Sequence, residues 1–226
     1  NKSANGTNWV QEYANYRSSN NGGNFNTLIV NVEDLYEQFS YGIQRNPISV
    51  RNFSSYIVKN WTKPKYAFII GKAVEYRYVR TESDIIAQDG INFFVPTFGY
   101  VGSDIKMFGT NYYEYPEIPL GRLAARTPDH IRLYLEKVKD FEYNQNLPQT
   151  IEDKAWMTRV IHLGGGDPTI QSQIKGHLND FKGTIETNNY GASVSSFFKT
   201  SSDPIQISQS DRITELINSG VSMLTF

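Results

Sequence analysis

Three histidines and no cysteine set the chemical inventory of this chain. His130, His162 and His177 are its imidazoles, and cysteine is absent from all 226 residues. A disulfide, a thiolate zinc site and a thiol nucleophile are therefore excluded within these residues. An imidazole works as a catalytic base only when a nucleophile lies within hydrogen-bond reach. His130 falls in the first turn of an expected helix, and His177 on the helix face opposite Ile174 and Leu178, so both are expected at the surface. His162 lies inside an expected strand. With no Cys or obvious Ser partner beside it, a buried histidine with a satisfied hydrogen bond is the preferred reading.

Gly164-Gly165-Gly166-Asp167 stands between an expected strand and an expected helix, where backbone N–H groups and a helix dipole can hold phosphate. The run lacks the Gly-Lys-Ser/Thr ending of a P-loop and the spacing of a dinucleotide fingerprint. A tight turn is preferred, with Asp167 as helix cap and Pro168 in the first helical position. Phosphate binding is the competing reading. Asp84, Asp89, Asp104 and Glu114 offer the hard oxygens that calcium takes, but their spacing fits no EF-hand, and solvated or turn-capping roles are preferred. Structural calcium is the one cofactor these residues would suit. No zinc-binding spacing occurs, and the sequons at Asn5, Asn52 and Asn60 read as chance in an Asn-rich chain.

The elements that must position these residues alternate. Trp9, Val10, Tyr13 and Tyr16 predict a short helix after Thr7, and Phe25 to Val32 is an apolar run expected as a strand covered on both faces. Short helices follow over Glu33 to Phe39 and from Pro47 to about Trp61, then a buried strand over Tyr66 to Ile70. Gly71 to Tyr115 is irregular, as long functional loops are. Ile118 to Leu123 reads as a strand, and Pro128 opens a helix to about Tyr143. Polar Asn144 to Asp153, with Pro148, is the expected linker. Beyond it Arg159 to Leu163, Val194 to Phe198 and Val221 to Phe226 read as strands. They alternate with a helix through Ile170, Ile174, Leu178 and Phe181, and with one capped by Ser208 or Ser210. The alternation predicts an α/β fold of two side-by-side parallel-sheet units with flanking helices. The units are expected at residues 1–147 and 148–226, the second incomplete because a strand that reads as buried ends the sequence at Phe226.

Composition narrows the partners. With 39% hydrophobic and 20% charged residues the chain has material for a core, and disorder is not expected. The 22 Lys plus Arg balance 23 Asp plus Glu to a net charge of −1, which supplies no basic field for nucleic acid or an anionic membrane. No apolar run approaches the roughly 18 to 20 residues of a membrane span, and no signal-peptide pattern opens the sequence.

Several stretches resemble the gingipain-type family of caspase-like cysteine peptidases. They are Tyr41-Gly42-Ile43 with Pro47 and the helix ending near Trp61, Lys63-Pro64-Lys65-Tyr66-Ala67-Phe68-Ile69-Ile70-Gly71, and Pro96-Thr97 through Asp104. The most specific is Ile118-Pro119-Leu120-Gly121-Arg122-Leu123-Ala124-Ala125-Arg126-Thr127, leading into the helix that ends at Glu142-Tyr143. From Trp156 to Val221 the chain resembles the start of the family's catalytic subdomain, and the resemblance covers nearly its whole length. It implies a caspase-like fold and a parent protein that cleaves peptide or protein substrates. The same family includes the cell-surface sortase of the bacterial type IX secretion system, so a secreted or cell-surface location is implied. Family members follow the strand equivalent to Val221 to Phe226 with a Gly-His segment, whose His is the general base, and place the catalytic Cys further on. The dyad is thus expected beyond Phe226 and the family's first strand ahead of Asn1, and these 226 residues alone are expected to be inactive. In arginine-specific members an acidic side chain lies in the primary specificity pocket. Thr169 aligns with that position and Asp167 is two residues away, so these are the substrate-binding candidates. A non-catalytic interaction or scaffold domain on the same fold is the alternative.

Overall fold

An asparagine begins each of the first three helices. These are α1 (Trp9–Ser18), α2 (Val32–Phe39) and α3 (Pro47–Asn60). The side-chain oxygens of Asn8, Asn31 and Asn46 accept from the backbone N–H groups of Gln11, Glu33 and Ile48 at 3.3, 3.4 and 3.0 Å. Each satisfies a donor that the first helical turn leaves without an intrahelical partner. The computed structural model describes residues 3–4, 6–74, 94–99, 102–109, 115–199 and 207–226.

The chain divides into two compact units, Asn1–Asn144 and Gln145–Phe226. In the first, β1 (Ala67–Ile70) and β2 (Leu120–Leu123) pair in parallel, with Ala67 opposite Leu120 and Ile70 opposite Leu123. Because strand side chains alternate faces, the two sides of β1 meet different partners. Phe68 stacks on Tyr13 of α1 at 5.0 Å and on Tyr134 of α4 (Pro128–Asn146) at 5.6 Å between ring centroids. Ile69, on the other face, joins Leu35, Val50, Ile57, Met107, Phe108 and Ile118 in the buried core. Helix α1 is fastened to α4 by Glu142, which accepts from Arg17 Nη1 at 2.6 Å and from the Tyr16 hydroxyl.

The apolar run Phe25 to Val32 is not the buried strand its composition predicts. Residues 25–31 form no regular element and pair in no described sheet, with Leu28 65% exposed, while Val32 already belongs to α2. The run is held instead by the end of α1: Phe25 N–H donates to Arg17 O at 2.9 Å and Thr27 Oγ1 to Ala14 O at 3.4 Å.

In the second unit β3 (Arg159–Gly164), α5 (Gln171–Ile185), β4 (Ser193–Phe198), α6 (Ile207–Asn218) and β5 (Met223–Thr225) follow in turn. All three strands are parallel in the order β4-β3-β5, so β3 is central. Several expectations need correction. Helix α6 starts at Ile207, so Ser208 and Ser210 lie within it rather than capping it. Strand β5, expected as buried, pairs with β3 alone among the described strands, and its Met223 is 52% exposed. Helix α4 runs to Asn146, so the stretch expected as a linker opens helical, and on α5 Leu178 is buried while Phe181 is exposed. No described helix is long and apolar enough to cross a membrane.

Candidate functional site at the carboxyl edge of the second sheet

The strand order fixes where the second unit can hold a ligand. From β3 the chain crosses to β4 on one side, then passes back over β3 to β5 on the other. Right-handed crossovers, which nearly all such connections are, put α5 and α6 on opposite faces. Open α/β sheets bind ligands beyond the carboxyl ends of their strands, here the ends of β3, β4 and β5. The Gly164 to Asp167 turn follows the carboxyl end of β3.

That turn is tightly packed. Gly164 sits opposite Phe198 in the ladder, and a Cβ there would lie 2.5 Å from Phe198 Cδ1 and 3.1 Å from Leu178 Cδ1. Gly166 has φ +117°, a backbone region that favours glycine. Asp167 Oδ1 accepts from Thr169 N–H at 2.9 Å and Thr169 Oγ1 at 2.7 Å. Those donors hold the Asp167 carboxyl below the ordinary aspartate range, the hydroxyl most and the N–H next. Both side chains are exposed. Asp167 therefore closes a turn over residues 168–170 instead of capping the helix directly. Pro168 lies in that turn, and α5 begins at Gln171 after Ile170, which makes no side-chain cap.

The three histidines differ in burial. His130 and His177 are exposed, as expected. His162 is buried, 1% exposed, but its Nδ1 has no hydrogen-bond partner, contrary to the satisfied histidine expected. Its ladder neighbours are Ser196 on β4 and Thr225 on β5, and the Ser196 hydroxyl is likewise buried without a partner. Parallel-paired residues share a face, so a polar row crosses the sheet below its carboxyl edge.

Of the acids weighed for calcium, Asp104 is engaged: its two oxygens accept from Arg122 Nε at 2.7 Å and Nη2 at 2.8 Å. Asp84, Asp89 and Glu114, like Asn5, lie outside the described residues, among which no cluster of His, Asp or Glu suits a metal. Asn52 and Asn60 donate to backbone carbonyls of Phe39 and Tyr56.

Sequence reasoning passed over two lysines. A cavity of about 240 Å³ lies between the Gly164 turn, the start of α5 and the end of β4, and Lys175 and Lys199 are among its walls. The one available signal was position, since Lys199 directly follows a predicted strand and Lys175 stands one helical turn into the helix after the glycine run.

No curated protein and no solved structure gives a significant match to the chain. The model of peptidase family C25 does, over residues 3–226. A mixed α/β chain with two small parallel sheets, matched over nearly its full length, thus belongs to the gingipain family of cysteine peptidases.

Proposed function

We propose that this chain is the scaffold part of a cysteine endopeptidase, and that its polypeptide substrate lies along the carboxyl edge of β3 and β5. The observation that carries the reading is the family match over residues 3–226, supported by the tendency of open parallel sheets to take ligands beyond the carboxyl ends of their strands. Since none of the 226 residues is cysteine, the thiol and its base come from polypeptide outside this sequence. There the imidazole takes the thiol proton, the thiolate adds to the scissile carbonyl, and the imidazolium protonates the leaving amine as the C–N bond breaks. Water then releases the acyl group in hydrolysis, or an incoming amine does so in a sortase. Asp167 and Thr169 contact the substrate from the turn wall. With Thr169 hydrogen-bonded to Asp167, the pair presents a neutral hydroxyl beside a partly occupied carboxylate rather than a free acid. The reading implies a secreted or bacterial cell-surface protein and calls for no cofactor.

The experiment compares residues 1–226 with a longer polypeptide that continues through the family's His and Cys. Only the longer form should cleave peptides, and iodoacetamide should stop it. Cleavage by residues 1–226 alone would sink the reading. The absence of cysteine also favours a non-catalytic interaction domain on the same fold, which gains support if the natural continuation carries no His and Cys.

A further inference from the structure

We infer that the cavity between the Gly164 turn and the end of β4 is a subsite for an acidic side chain of the polypeptide substrate, with Lys175 and Lys199 as its cationic walls. The inference rests on the reading that a polypeptide lies along this edge, and it adds what the edge selects.

The two ammonium groups come from different elements, Lys175 from α5 and Lys199 from the residue after β4. Both side chains are exposed, yet they border one space of about 240 Å³, ample for a carboxylate and its first methylenes. No wall of that space is acidic. Neither lysine forms an ion pair with a carboxylate among the described residues. Lys175 Nζ instead lies 5.5 Å from the centre of the Phe198 ring, a contact worth little at an exposed site. Asp167, the nearest acid in the same turn, is not part of the wall and is bonded to Thr169.

The frame around the lysines is fixed. Phe198 packs where Gly164 has no side chain, and Lys199 N–H donates to Gly164 O at 2.8 Å, so the base of the Lys199 side chain is held against the turn. Gln171 and Ser172 add a carboxamide and a hydroxyl to the rim. Two cationic residues bordering one small space favour an anion there. In a chain of net charge −1 this concentration of positive charge is local.

An amide-resolved NMR titration of residues 1–226 tests the inference with two pentapeptides that differ only in a central Glu or Gln, and with inorganic phosphate. The Glu peptide should saturate shifts at Gly164, Gly165, Ser172 and Lys199. It should bind roughly five- to tenfold more tightly than the Gln peptide, as two exposed charge contacts allow. That preference should vanish in the K175Q/K199Q variant and persist in K154Q, which alters a lysine remote from the cavity. Equal binding of both peptides at this edge would overturn the subsite and leave the reading of the edge intact. Failure of both peptides to bind would overturn the two together. Saturable phosphate binding without Glu-peptide binding would mark a site for free anions and overturn the assignment to substrate, as would a preference that survives the double variant.

Discussion

The guanidinium of Arg122 makes five hydrogen bonds, two to Asp104 and one each to the carbonyls of Gly71, Val95 and Pro96. One side chain thus gathers three separate stretches of the long irregular region at the carboxyl end of the first sheet. Its own side chain is 13% exposed, so removing it strands both a carboxylate and carbonyls in a largely dry place. Arg122→Gln should cost roughly 3 kcal/mol, read as a lower urea midpoint. Arg122→Lys should recover less than half of that, because an ammonium cannot reproduce the planar fork. A loss of under about 1 kcal/mol for the Gln variant would mean that the carbonyls find water instead. The sequence marked Arg122 through the stretch it shares with the family, but which carbonyls it serves depends on contacts many residues away, and no local pattern encodes those.

At the scale of elements, Gly164 and Gly165 look interchangeable in the sequence and differ in the fold. A Cβ on Gly164 collides with Phe198, whereas one on Gly165 meets its nearest atom, Lys199 Cβ, at 3.8 Å. Gly164→Ala should therefore lose about 1–3 kcal/mol of unfolding free energy, as overpacking does, while Gly165→Ala stays within about 0.5 kcal/mol, as surface changes usually do. Equal losses would show that the β3–β4 packing yields. Regular elements were legible where spacing and a helix-opening residue agreed, as in α3 with its Pro47. Phe25 to Val32 misled because an apolar run reports a preference for burial and not the presence of a ladder partner. The start of α5 shifted for a different reason: the Asp167 side chain is committed to Thr169, so the turn is completed before the helix begins. Neither error touched the candidate site's location, which follows from strand order, yet strand order itself was not readable from the chain.

For the molecule as a whole, the first unit carries a built-in sensitivity to alkali. Burial keeps the Tyr36 hydroxyl protonated up to about 12, and burial together with Glu142 does the same for Tyr16, against an ordinary value of 10.0. The folded unit thus keeps protons that the unfolded chain releases. This stabilisation is whole below pH 10 and is lost as pH climbs towards 12. Thermal melting should show the transition of this unit moving to lower temperature across that window, with Y16F/Y36F flattening the slope, and an unchanged slope in that variant would rule the two tyrosines out as its source. The ties that complete the unit also span long stretches of sequence, β1 to β2 and Arg17 to Glu142. Closing such loops costs entropy before any contact rewards it, and parallel pairing is slow for that reason. Helices α2 and α3, neighbours in the chain and packed on each other, have no such delay. Their apolar faces are then expected to form before the sheet that covers them, so folding transiently adds uncovered apolar surface next in sequence to Leu28, Ile29 and Val30, which face solvent even in the finished unit, and together these favour aggregation.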